Sequence, residues 1–403
     1  MNRAMPILVF ILMAVMAGCG GKSKQSNDDF ITVDVTKRYP KKELILQDIF
    51  EVEYIPLETT DDFITSSSLQ YFGKDIIVTR NIGRDGNYFL FARNGNGLRK
   101  INRMGQGPEE HLNAGSIALD EDNDEMFVND TAGEKIYVYD LFGKFKYFFR
   151  YPEFSRIETI YRLGIFDRDN LICHLREEIY VPIHDGRVDD SPKNLFYIIS
   201  KHDGSITKEI QIPHKKRLFT RPNPPGERYA AFVYNEKLIP FRDSWVIAEH
   251  SADTIYRFLP DHSLIPFIVR TPSINSMDPE VFLFLSVLTD RYYFMQTVKK
   301  EFDFATYTGY PKVDLAYDIQ EKSIVEYTVY NDDFSFKKQV NLGCEPGVLT
   351  LINNNEIAFV SKLESYEIVE AYEKGQLKGK LKEIAAGLNA ESNPVIMVAK
   401  HKR

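Results

Sequence analysis

The chain has 403 residues, a formal charge of −8, 43% hydrophobic and 13% aromatic residues, with 23 Tyr and 28 Phe against a single Trp. This composition favours pleated strands around a large core, and length alone leaves the domain count open, because large all-β folds hold several hundred residues in one unit. No basic block is present that could neutralise a run of phosphates, so nucleic acid is excluded as a partner.

The start of the chain has its own logic. Met1-Asn2-Arg3 is a short positive opening, Ile7 to Val15 is apolar, and the small residues Ala17-Gly18 precede Cys19. This is a signal peptide over 1–18, too short in its apolar part to stay in a bilayer as a spanning helix. Small residues followed directly by Cys resemble a bacterial lipobox, with Met16 in place of the usual Leu. That resemblance implies a diacylated Cys19 as the mature N-terminus, firmly anchored because each buried methylene contributes about 0.8 kcal/mol and a single chain alone is marginal. An ordinary signal peptide followed by a stray Cys is the other reading. Residues 19–30 are polar and glycine-bearing and read as a flexible tether.

From Ile31 to the end at 403 the text consists of short apolar or alternating runs separated by turn chemistry. The clearest unit is Ile117 to Asp120, Met126 to Asp130, Lys135 to Asp140 and Phe145 to Phe149, four strands joined by tight turns. Weaker copies precede it (Ile76 to Val78, Tyr88 to Phe91, Leu98 to Ile101) and follow it over Ile160 to Ile212, Ala230 to Val269, Phe282 to Val340, and Val348 to about Lys374. Repetition at roughly 45 to 60 residues predicts an all-β six-bladed propeller. Its last blade is expected to be completed by Ile31 to Leu57 from one end and Pro394 to Lys400 from the other, which leaves no open edge at the joint. Leu377, Leu381, Ile384, Ala385 and Leu388 recur at helical spacing, predicting one short amphipathic C-terminal helix over Gln376 to Asn389 that covers the ring.

At this point the chain resembles the NHL-like six-bladed propeller lipoproteins common among glycan-degrading gut bacteria. The markers are Cys19, Tyr54-Ile55-Pro56-Leu57-Glu58-Thr59 before the first blade, Arg103-Met104-Gly105-Gln106-Gly107-Pro108-Glu109-Glu110 after it, and Asn393-Pro394-Val395. The resemblance spans nearly the whole chain. It implies the blade number and a cell-envelope setting on the outer membrane, on either its periplasmic or its surface side, and it implies no reaction.

Candidate chemistry is sparse. Gly105-Gln106-Gly107-Pro108 lacks the Lys-Ser or Lys-Thr step of a phosphate loop and reads as a tight connection whose glycines take unusual backbone angles. Asp130, after a strand and before Thr131-Ala132-Gly133, suits a carboxylate that accepts turn amides, and Arg80 holds the same slot one blade earlier. If these slots face the central channel, Arg80, Arg103, Gln106 and Asp130 would line a binding site at its mouth. The eight histidines show no metal-binding spacing, no nucleophile elbow is present, and no catalytic residue is assigned. No cofactor is expected, with Ca²⁺ in oxygen-rich loops as the one candidate. Cys173 and Cys344 can pair or stay as buried thiols; both readings are open. The paired acids Asp61-Asp62, Glu109-Glu110 and Asp189-Asp190 read as solvated loop charges. Phe282-Leu283-Phe284 and Tyr292-Tyr293-Phe294 suit either core strands or a sugar-stacking surface.

The expected function is a non-catalytic, lipid-anchored binding module for a glycan, a peptide or a protein partner of an uptake system. A hydrolase or lyase using a divalent cation and a structural subunit of an envelope complex are the alternatives.

Overall fold

A computed structural model describes residues 30–402, apart from 67, 82–84, 151–158, 176–182, 185–186, 189–190, 192, 221–235, 307, 343–347 and 350–354. Cys19, Cys344 and Asp189-Asp190 therefore lie outside the described residues.

The fold is a six-bladed β-propeller. Blade 1 runs Ser68–Phe72, Ile76–Arg80, Asn87–Ala92, Gly97–Asn102; blade 2 runs Ala114–Asp120, Glu125–Asp130, Lys135–Tyr139, Phe145–Arg150. Blade 3 is Ile160–Ile165, Asn170–Leu175, Phe196–Ser200, Ile206–Ile210, and blade 4 is Leu238–Phe241, Ser244–Ile247, Thr254–Phe258, Leu264–Thr271. Blade 5 is Val281–Leu288, Tyr292–Lys299, Lys312–Asp318 and Ser323–Asn331. Each is an antiparallel meander, and the first strand of blade 2 lies against the first strands of blades 1 and 3. The second strands are buried on both faces because a blade sits on each side of them, whereas the outer strands of blades 1 and 2 share one alternating burial pattern and meet water.

The sixth blade closes the ring. Val348–Leu349 and Ile357–Leu363 pair in sequence, Val395–His401 lies beside them, and the outermost strand comes from the other end of the chain, with Phe50–Pro56 antiparallel to Val395–His401 from Phe50↔His401 to Pro56↔Val395. The expectation for Ile31 to Leu57 needs correction here. Only its last part completes this blade. The strand β1 (Ile31–Asp34) adds in parallel to the outer edge of blade 4, and β2 (Lys41–Ile45) adds in parallel to that of blade 5. The chain thus runs as a sash around three consecutive blades before it enters the ring, burying Val33, Leu44 and Leu46. Its apolar residues pack on the outside of blades, a placement that strand periodicity does not encode.

The helical segment also differs in extent. The connection between Leu363 and Val395 folds as two helices, α1 (Ser365–Glu373) and α2 (Gly379–Ala385), not one. Leu377, Leu381 and Ala385 are buried and Ile384 and Leu388 half-buried against Leu44, Phe50, Phe334 and Val395, so the expected apolar stripe does cover the ring at the joint of blades 5 and 6.

Two family markers meet at the closure. Asn393 donates from Nδ2 to the carbonyls of Glu58 and Phe63, accepts Thr65 N at 3.0 Å, and donates its own N–H to Thr59 Oγ1 at 2.8 Å. Glu58 in turn accepts Gly97 N at 2.7 Å. These residues latch the last blade to the first, which explains why a Tyr-Ile-Pro-Leu-Glu-Thr run and an Asn-Pro-Val run occur so far apart in one sequence.

A second repeat emerges at the turn between third and fourth strands. Gly95, Gly143 and Gly204 have φ of +89°, +82° and +74°, and the turns of blades 4 and 5 place His262 and Lys322 at +67° and +48°. A Cβ on Gly95 or Gly204 would meet the backbone carbonyl of Pro56 or Arg150 in the preceding blade, so glycine here serves blade packing as well as turn geometry.

Cys173 is a free, fully buried thiol, pushed up to about 12 by burial, and it forms no disulfide. Phe282, Phe284, Tyr292 and Phe294 are buried core, and Tyr293 is half-buried, so these runs offer no sugar-stacking surface. No helix among the described residues is long and apolar enough to cross a membrane.

Candidate functional site

One face of the ring carries the blade-to-blade connections and the loops between second and third strands; the other carries the tight hairpins. All four predicted channel-mouth residues lie on the connection 103–115 between blades 1 and 2 or bond to it, and two of them, Arg80 and Asp130, are committed to its backbone. Arg80 donates to the carbonyls of Ala114 (3.0 Å) and Gly115 (3.5 Å) at the start of the first strand of blade 2. Arg103 Nε donates to Gly143 O at 2.6 Å. Asp130, 1% exposed, accepts the amides of Leu112, Asn113, Ala132 and Gly133 at 3.0 to 3.2 Å. Gln106 is exposed. Gly105 and Gly107 are not in the left-handed region; they are small because the Glu110 carboxylate folds back over them and accepts Gly107 N at 2.9 Å. Nearby His111 is pushed down to about 4 by burial, against the pull of Asp130 and Glu110.

A denser polar group lies on the same face at the joint of blades 3 and 4. Arg162, in the first strand of blade 3, donates from Nε to Glu236 Oε2 at 2.9 Å. Lys237, one residue before the first strand of blade 4, donates to Glu249 Oε2 at 3.0 Å, and both side chains are 3% exposed. Glu249 Oε1 accepts Ser251 N at 3.0 Å, Ser251 Oγ accepts Leu218 N at 3.0 Å, and His250 Nε2 bonds to Leu218 O at 2.7 Å. The network therefore reaches from inner strands to the connection that carries Arg217. Burial alone would raise the Glu249 carboxyl, yet Lys237, His250 and the Ser251 amide hold it well below the usual carboxylate range.

His174, at the end of the second strand of blade 3, stacks on Phe196 with ring centroids 4.9 Å apart. Burial, with Lys237 adding to it, holds its imidazole well below the ordinary value, so the ring is neutral at pH 7. Neither of its nitrogens meets a hydrogen-bond partner among the described residues, and the same is true of Glu236 Oε1 and of Arg217 Nε and Nη1. Buried polar atoms without a partner also occur elsewhere among the described residues, at Tyr88, Asn129 and Gln296 for example.

Sequence reasoning missed these residues, although a signal was present. Arg80 and Asp130 occupy the second-strand end of blades 1 and 2, and the same slot one and two blades later holds His174 and, just past Ile247, Glu249 and His250. Carrying the comparison around the ring would have found them; their partners Glu236, Lys237 and Arg217 sit in a connection with no repeat to align. No group of three or more His, Cys, Asp or Glu is gathered for a metal among the described residues.

A closed ring of six four-stranded blades defines a β-propeller scaffold. The chain belongs to the family described as a domain of unknown function, DUF4934, whose model matches residues 30–400. No curated protein matches it. Among solved structures, an exported protein from Bacteroides fragilis is similar at 14% identity and a TM-score of 0.56, covering 90% of this chain and 99% of that one. A member of the DUF4221 family from Bacteroides vulgatus is similar at 10% identity and a TM-score of 0.47, covering 87% of this chain and 96% of that one. The first likeness supports the propeller fold; the second carries no argument.

Proposed function

We propose that this protein is a non-catalytic binding module of the cell envelope, anchored through Cys19 at the outer membrane and taking its ligand, a glycan or an exposed segment of an uptake partner, at the joint of blades 3 and 4. The observation that carries this reading is the unmet hydrogen-bonding capacity of His174, Glu236 and Arg217 within a buried, ordered ion-pair network. A rigid ring with such a group on its loop-bearing face has the form of a recognition site, polar groups fixed by packing and left to be satisfied by something else. The signal peptide with Cys19 and the description of the B. fragilis relative as exported support the envelope setting.

The test joins a glycan and peptide array to a cross-linked pull-down from envelope preparations, each repeated with Glu236→Gln, which keeps side-chain shape. A captured ligand whose affinity falls at least tenfold in the variant, with the variant still unfolding cooperatively, is the expected result. Blank arrays together with an empty pull-down, or a ligand indifferent to Glu236→Gln, would overturn the proposal. Metabolic labelling with a fatty-acid analogue, lost in Cys19→Ala, tests the anchor separately.

A further inference from the structure

Arg162 is paired with Glu236 and Lys237 with Glu249, and Arg217, on the connection whose Leu218 backbone is bonded to Ser251 and His250, has no carboxylate partner among the described residues. It is 3% exposed, its guanidinium lies over the Phe219 ring at 4.9 Å, and its Nε and Nη1 donors are buried without an acceptor. Removing a cation from water without a partner is costly, and a chain that retains one there holds it for a ligand that supplies the counter-charge. The backbone around Arg217 is fixed, because Leu218 is tied through its N–H to Ser251 and through its carbonyl to His250, while its side chain packs with Ile274, Phe282 and Phe284. A guanidinium held in this way offers its donors in a fixed fork, which matches the paired oxygens of an oxyanion.

We infer that Arg217 is the anchor of an oxyanion subsite, and that the ligand of the blade 3–4 joint carries a carboxylate, sulfate or phosphate group. This deepens the binding-module reading and rests on it. Arg217 supplies charge and fork geometry.

The purified chain is titrated with sodium sulfate, sodium phosphate and methyl glucuronide, each at ionic strength matched with sodium chloride, while the unfolding midpoint and the heat of binding are followed. A saturable rise in midpoint with at least one of the three is expected, and which one identifies the source of the oxyanion. Arg217→Met, which keeps the length of the side chain and removes the charge, should weaken that response at least tenfold; Arg217→Lys, which keeps charge but not the fork, should retain part of it. No saturable response in the unmodified chain, or an equal response in Arg217→Met, overturns the inference. If Arg217→Met does not fold, the unmodified chain and Arg217→Lys still decide: an unchanged affinity in Arg217→Lys refutes the fork. A ligand captured on the arrays that binds Arg217→Met as well as the original chain sinks the oxyanion subsite and leaves the binding module standing; blank arrays with an Arg217-dependent sulfate response do the reverse.

Discussion

Replacing Ile396 by Ala tests the closure of the ring directly. Ile396 is fully buried in the strand Val395–His401, paired with Ile55 on one side and Lys362 on the other. It packs among Ile55, Leu57, Phe72, Ile77, Phe89 and Phe91, the cluster that joins blade 6 to blade 1. Large-to-small replacements at such sites cost about 2 to 5 kcal/mol, the transfer term plus the cavity. Ile265→Ala, on the outer strand of blade 4 at 39% exposure, is the matched control and should cost under about 1 kcal/mol. Ending the chain after Asn393 is the severe version, since Val395, Ile396, Met397 and Val398 are each 0 to 2% exposed. At about 1.5 to 3 kcal/mol for each of these side chains the loss is about 6 to 12 kcal/mol, as large as the stability of a typical domain. The shortened chain should not fold. Urea unfolding followed by tyrosine fluorescence measures all three, and the reasoning fails if Ile396→Ala costs no more than the control or if the shortened chain keeps its midpoint.

Two further outcomes are expected. Because folded His111 titrates near 4 and an unfolded histidine near 6.5, the unfolded state binds more protons between these values; stability is therefore full above pH 6.5 and falls as pH drops toward 4, by about 3 kcal/mol from this one group. His111→Gln should remove most of that share from the difference in unfolding free energy between pH 7 and 4.5, and an unchanged slope would refute the assignment. At the third-to-fourth-strand turns, Gly95→Ala should destabilise by more than about 1 kcal/mol, because it adds a left-handed backbone penalty to a collision with Pro56 O; Lys322→Gly, at an exposed left-handed position, should stabilise by up to about 1 kcal/mol. Denaturation midpoints that move in the opposite directions would remove the turn argument.

The propeller was legible because its cause is local. Every blade repeats a short alternating or doubly apolar strand and a turn, so the unit Ile117 to Phe149 announces itself, and the other five blades follow by comparison. Asp130 was legible for the same reason, since a carboxylate two or three residues ahead of the amides it accepts leaves a local trace. The sash was not. β1 and β2 pair with strands more than 200 residues later in the chain, and the choice between joining blade 6 and edging blades 4 and 5 depends on where those blades' outer strands stand in the closed ring.

The polar group at the joint of blades 3 and 4 divides along the same line. The sequence by itself set the strands, the turns and the places where an Arg, Asp, His or Glu ends a second strand, because backbone geometry and side-chain alternation act over a few residues. Only the tertiary structure decided which of those ends are consumed by neighbouring amides, as at Asp130, and which, as at His174, meet no partner among the described residues. Pairing of buried charges is a property of distances between blades, and those distances exist only once the ring has closed.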